Sequence, residues 1–115
     1  RNERTNLQIV DRICEILDKE VVFDSLEKAL AFATKRSFEG EFPEIDVHID
    51  RISGKYKTIR KWSVVSDIDF YDDDKELSES DVAADPERYG RDLKIGDVVE
   101  EELEKFLNSF NVLSS

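Results

Sequence analysis

The sequence predicts an α+β domain: two N-terminal helices packed on a small, mainly antiparallel sheet of three to four strands, with a further short helix. Three observations point there. Apolar residues recur at three- and four-residue steps through the first third of the chain, and they alternate with polar residues at 45–49. Gly, Pro and Asp residues then divide the remainder into short pieces. A chain of 115 residues can enclose one core and not two.

The first helix is "TNLQIVDRICEIL". Thr5-Asn6-Leu7-Gln8 has the capping-box form, and Ile9, Val10, Ile13, Cys14, Ile16 and Leu17 make one broad apolar face. Cys14 lies within that face and is expected to be buried and unreactive. The second helix, "EVVFDSLEKALAFATKRSF", starts near Glu20. Its stripe is Val22, Leu26, Ala29 and Ala33, flanked by Phe23 and Leu30. Lys35 and Arg36 complement the helix dipole at its end, and Gly40 and Pro43 stop the helical region.

Ile45, Val47 and Ile49 alternate with Asp46, His48 and Asp50, as a half-buried strand does. Ser53-Gly54 reverses the chain into a second arm, "KYKTIRKWSVV". A two-residue loop would set Val47 opposite Arg60. A three-residue loop with Gly54 left-handed sets Val47 opposite Ile59 and Asp46 opposite Arg60, pairing apolar with apolar and acid with base. That register is the one expected, and a slip of one residue would invert every side chain. It puts His48, Asp50, Tyr56, Thr58, Arg60 and Trp62 on one face, and Lys57 and Lys61 with Ile59 on the other.

"SDIDFYDDDKELSESD" reads as a polar acidic connection, and "VAADPERYG" as a short helix or turns ended by Gly90. After Gly96-Asp97, helical spacing at Val99, Leu103, Phe106, Leu107 and Phe110 competes with a strand at "DVVEEEL". Local signals alone lean to helix.

Charge is uneven. The formal net charge is -11, yet residues 28–61 hold eight Lys/Arg against five Asp/Glu, and residues 62–104 hold four against sixteen. The whole-chain field opposes indiscriminate nucleic-acid binding, while the local cations leave room for a few phosphate contacts. The single cysteine rules out an internal disulfide and fits a reducing compartment, so the cytoplasm is the expected location. No apolar run is long enough for a membrane span. The chain opens on Arg1 rather than Met, so an initiator residue or a tag is expected to be missing.

Catalytic patterns are weak. One histidine and one cysteine give no metal-ligand spacing and no nucleophile–base pair, and four glycines form no phosphate loop. Asp67, Asp69 and Asp72–Asp74 lack the glycine and terminal glutamate of a calcium loop, and read as a solvated acidic loop. No cofactor and no metal site is expected, and the chain reads as a binding module.

The order "LEKALAFATKR", "VHIDRISGKYKTIRKW", "VV" and "LKIGDVVEEEL" resembles the N-terminal domain of the bacterial NusA transcription elongation and termination factors, over essentially the whole chain. The resemblance implies a strand, not a helix, after Gly96-Asp97. It implies a domain over 1–105, with 106–115 beginning a connecting helix toward S1 and KH domains that bind RNA. It further implies a monomeric, non-catalytic domain that docks on RNA polymerase at the flap-tip helix of the β subunit. The polymerase α C-terminal domain is a second implied contact, and a nascent RNA hairpin lies nearby. There the family modulates pausing, intrinsic termination and antitermination. On this reading Leu26, Ala29, Leu30 and Ala33 would take the polymerase helix. Lys35, Arg36, Arg51, Lys55, Lys57 and Lys61 would face RNA. The segment "DDDKELSESDVAADPERYGRD" is longer and more acidic than the family pattern, and no role is carried onto it. Two competing readings are an unrelated acidic domain binding a basic partner and a divalent-metal site at Asp67–Asp74.

Overall fold

A computed structural model describes residues 2–104, with side chains from Thr5 onward. The architecture is α+β, in the order α1 (Asn2–Arg36), β1 (Glu44–Ile49), β2 (Tyr56–Val65), β3 (Glu76–Ser78), α2 (Glu79–Ala84), α3 (Pro86–Tyr89) and β4 (Val98–Leu103).

The two expected N-terminal helices are one continuous helix of 35 residues. No Gly or Pro lies between Leu17 and Val21, and Asp18-Lys19-Glu20 is polar without breaking the backbone. Thr5 therefore sits inside the helix and not at its cap. The C-terminal end follows expectation, with Lys35 and Arg36 in the last turn. Ser37 Oγ donates to the Thr34 carbonyl at 2.6 Å, satisfying one of the helix's free acceptors.

β2 is the sheet's central strand. β1 and β4 both pair with it antiparallel, and β3 pairs parallel with its last three residues, Ser63–Val65. β1 and β3 share one edge, while β4 takes the other. The stretch after Gly96-Asp97 is thus a strand, as the family resemblance implied, and the polar connection contains the short strand β3. The short helix expected in "VAADPERYG" appears as α2 and α3. The Ser78 hydroxyl accepts the Asp81 N–H, and the Asp85 carboxylate accepts the Arg88 N–H.

The hairpin register differs from the expected one. Val47 faces Thr58, Asp46 faces Ile59 and Ile45 faces Arg60. The loop holds four residues, Arg51–Gly54: Asp50 N–H donates to the Lys55 carbonyl at 2.8 Å, and Gly54 N–H to the Asp50 carbonyl at 3.0 Å. Asp50 Oδ1 also accepts the N–H groups of Ile52 and Ser53, both at 2.8 Å. Gly54 is left-handed, as expected, with φ 74°. The physical reason lies in parity. The expected register would have turned Lys57 and Lys61 toward the core to match Val47 with Ile59. The observed one buries Tyr56 and Thr58 and leaves Lys57 exposed, which avoids desolvating ammonium groups.

The core lies between β1–β2 and the C-terminal half of α1. Ile45, Val47, Ile49 and Tyr56 are buried, with Phe23, Leu30, Ala31, Phe38 and Leu103 packed against them. Arg60, expected to pair with Asp46 outside, points inward. Its guanidinium lies 5.2 Å from the Phe38 ring centre and 4.7 Å from that of Trp62. Nη2 donates to the Asp74 carbonyl at 3.0 Å and lies 3.5 Å from Glu41, while Nε has no hydrogen-bond partner. Such a cation contributes mainly through packing. Arg60→Met is expected to hold unfolding stability within about 1 kcal/mol, and Arg60→Ala to lose about 3 kcal/mol by urea denaturation. Equal losses in both would assign the guanidinium's polar contacts the larger part.

The N-terminal half of α1 leaves this core behind. The long dimension of 66 Å and the radius of gyration of 19.7 Å reflect that projection; a compact domain of this length has a radius near ~13 Å. Cys14, expected to be buried, is exposed on the projecting half.

Candidate functional site

Two surfaces were expected to carry function, one apolar on α1 and one basic on α1 and the hairpin. On α1, spacing sets Val22, Leu26, Ala29 and Ala33 along one flank. Leu26 and Ala29 are exposed and Ala33 is half-buried. Leu30 is turned to the sheet and packs on the Ile45 cluster, so it belongs to the core.

On the other side of α1 from this flank, a groove that the sequence reading did not single out runs between the helix and β1–β2. Lys28, Ala31, Phe32, Ile59 and Lys61 line it, with Asp46 and Glu100 among its acids. Phe32 is 61% exposed, an unusual position for a phenylalanine beside a packed helix face. Arg36, one turn on, stacks on that ring at 5.7 Å. The Phe32/Arg36 pair at i and i+4 is the signal in the sequence that marks this position, and Phe32 falls off the apolar stripe.

The cations do not form one basic patch. Lys35 lies 3.6 Å from Glu44, and Lys61 bonds Asp46 and lies 4.0 Å from Glu100. The hydrogen bond that Lys61 donates to Asp46 raises the Lys61 pKa and keeps its charge committed to that carboxylate. Arg51 is held by three acids, with Nη1 at 2.6 Å from Glu27 and Nη2 at 3.0 Å from Glu20 and 3.3 Å from Asp24. It also stacks on Phe23 at 4.9 Å. Lys55, Lys57 and Arg36 make no ion pair among the described residues. β1 separates them: Arg36 lies at the Glu44 end and Lys55 at the hairpin end, roughly 17 Å apart at the rise of a six-residue strand.

Arg51 and its acids tie the hairpin to α1. Glu27 accepts the Ile49 N–H at 2.9 Å on the open edge of β1, and its carboxylate also lies 3.7 Å from His48 Nδ1. Burial pushes the Glu27 carboxyl upward, but the Ile49 amide, the Arg51 guanidinium and His48 outweigh it and hold it below the ordinary glutamate value. The hydrogen bond from Arg51 lowers Glu20 in the same way. Arg51 in turn is raised further by the bonds to Glu20 and Glu27.

Asp72, Asp73 and Asp74 bring ligand oxygens within 4.8 Å of one another. Asp72 already accepts the Asp74 N–H at 3.1 Å, and Asp74 the Phe42 N–H at 3.0 Å, so the cluster builds its own turn. His48 and Cys14 lie on separate elements, and no described helix is long and apolar enough to cross a membrane.

Fold and surface together describe a helix-and-sheet module whose exposed features are grooves and charges. The NusA N-terminal domain family matches residues 8–111. Among solved structures, the solution structure of the N-terminal domain of NusA from B. subtilis is similar at 28% identity and a TM-score of 0.54. The match covers 76% of this chain and 64% of that one, so this chain spans under two thirds of that domain. The chain belongs to the NusA N-terminal domain family, a family of transcription-factor domains. Its membership overturns the reading as an unrelated acidic domain.

Proposed function

We propose that this chain is a non-catalytic regulatory domain that docks on bacterial RNA polymerase and modulates pausing, intrinsic termination and antitermination. The carrying observation is the family match over residues 8–111. The docking contact is the β flap-tip helix, with the α C-terminal domain as a second contact, and the domain works as a cytoplasmic monomer. Leu26, Ala29 and Ala33 offer a small-residue flank, and Phe32, turned toward the groove, supplies an exposed apolar anchor on the same helix. Such a surface suits an amphipathic partner helix. Leu30 drops out of the docking set because it packs inward.

The RNA-facing set narrows to Arg36, Lys55 and Lys57, because Lys35, Arg51 and Lys61 spend their charge on carboxylates of this chain. Lys55 and Lys57 at the hairpin end and Arg36 at the other end of β1 would give weak, sequence-independent phosphate contacts. They become useful only when polymerase holds the emerging hairpin beside the domain.

The test is a titration of RNA polymerase, and of a flap-tip peptide, with the native chain and with Leu26→Glu and Phe32→Glu. The native chain is expected to bind, and each variant to lose about tenfold or more in affinity, as truncating an interface anchor does. In transcription assays, replacing Arg36, Lys55 and Lys57 by alanine is expected to shorten hairpin-dependent pauses while polymerase affinity stays unchanged. Absence of binding by the native chain would overturn the docking reading. Unchanged pause lifetimes would remove the three cations from it.

A further inference from the structure

β4 is an edge strand, and its outer backbone is open. The Ile49 N–H leaves β1 toward Glu27, away from β2, so Glu44, Asp46 and His48 are the β1 residues that exchange bonds with the odd-numbered residues of β2. The even-numbered ones, Thr58, Arg60 and Trp62, therefore bond Leu103, Glu101 and Val99. The Val64 N–H continues that ladder, donating to the Asp97 carbonyl at 2.9 Å. The N–H and C=O groups of Val98, Glu100 and Glu102 thus point away from the sheet. Among the described residues no strand pairs with them. Such a row is a template for one more strand.

The side chains say which strand it takes. A second copy does not suit, because an antiparallel β4–β4 pair centred on this strand sets Glu100 opposite Glu101, and like charges directly opposite destabilise a sheet. The acids call for cations instead. Successive residues alternate faces. Glu100 and Glu102 are exposed on the outer face, while on the inner face the half-buried Val99 and Leu103 flank Glu101. Beside Val99 a cavity of about 240 Å³ opens between Trp62, Leu77 and Tyr89. It can receive an apolar side chain from a strand laid along this edge.

We propose that the outer edge of β4 is a strand-addition site for an extended basic segment of a partner protein, in which lysine or arginine alternates with apolar residues. The cations lie over Glu100 and Glu102. The apolar side chains lie beside Val99 and Leu103 and in the Trp62–Tyr89 cavity. Backbone pairing supplies the affinity and the alternation supplies the specificity. The site shares no residue with the α1 surface assigned to polymerase, so the two readings stand or fall separately.

The probe is an eight-residue peptide of alternating lysine and valine, titrated into the 115-residue chain. Saturable binding is expected, with amide exchange at Val98, Glu100 and Glu102 slowed about tenfold or more and little change at Val99, Glu101 and Leu103. Glu102→Pro removes one outward N–H and leaves the ladder to β2 intact, so circular dichroism should stay native while affinity falls about tenfold. Independently, Glu100→Lys/Glu102→Lys is expected to reverse the preference toward a peptide alternating glutamate and valine. Equal binding of a lysine–proline peptide, which cannot pair along an edge, would reduce the surface to an unspecific acidic field and overturn the proposal. Binding without the alternating protection would also overturn it. So would protection of Val98, Glu100 and Glu102 already present in the chain without peptide.

Discussion

Replacing Ile49 by alanine is expected to lower unfolding free energy by about 3–4 kcal/mol, the upper half of the range for deleting a buried isoleucine. Ile49 has no solvent exposure and sits where β1, Tyr56 and Phe23 meet. Its N–H is fixed to Glu27 and its neighbour Asp50 closes the hairpin loop, so the backbone cannot sink into the space left behind. The cavity term therefore persists. Among the described residues few large apolar side chains are buried, and small domains hold only about 5–15 kcal/mol in total. Urea unfolding should show a lower midpoint with an unchanged slope. Ile52→Ala, 93% exposed at the tip of the same hairpin, should stay within about 0.5 kcal/mol. A loss at Ile49 as small as that control would show a core that repacks freely.

Ile49 was also legible in the sequence, and the reason is instructive. The alternation at 45–49 was read correctly because one face of β1 is buried and the other is wet, which is the condition that writes a period of two into a strand. Gly54 was read correctly because only its left-handed φ closes the turn. What failed was whatever depended on pieces far apart in the chain. Register was set by the Asp50 carboxylate reaching over the loop and by the cost of burying lysines, neither of which the apolar pairing rule weighs. The two helices fused because Asp18-Lys19-Glu20 looks like a boundary in polarity but contains no residue that stops a helix.

The candidate site was legible in composition and not in arrangement. The excess of cations over 28–61 is real, but most of it faces carboxylates brought in from other elements: Lys35 meets Glu44, Lys61 meets Asp46 and Glu100, and Arg51 meets Glu20, Asp24 and Glu27. A segment's net charge counts none of these. The hairpin's cations are thereby divided among three tasks: Arg51 fastens the loop to α1, Arg60 fills the core between Phe38 and Trp62, and Lys55 and Lys57 remain for solvent or a phosphate. The apolar face of the first helix has the pattern of a burial surface, yet among the described residues Leu7, Ile9, Val10, Ile13, Ile16 and Leu17 are exposed.

Glu27→Gln is expected to lower stability by about 1–3 kcal/mol near neutral pH, the scale of a lost charge-assisted hydrogen bond. Glutamine keeps an acceptor for the Ile49 N–H but no charge for Arg51. The sign of the pH dependence follows from the direction of the shift. The Glu27 carboxyl is held below its ordinary value of 4.5 in the folded chain, so its contribution is fully present above that value. It is lost as the pH falls through the lowered folded-state value, where the carboxylate takes up a proton and releases Arg51. Glu20 is depressed by the same guanidinium and adds to the native chain's acid limb, and it remains in the variant with a partner no longer shared. Urea midpoints measured at about pH 7, 5 and 3 should therefore show the two proteins separated at the first two and converging at the third. Parallel profiles across that range would mean that the carboxylate's charge is not what fastens the hairpin to α1, and that the Ile49 amide alone accounts for the contact.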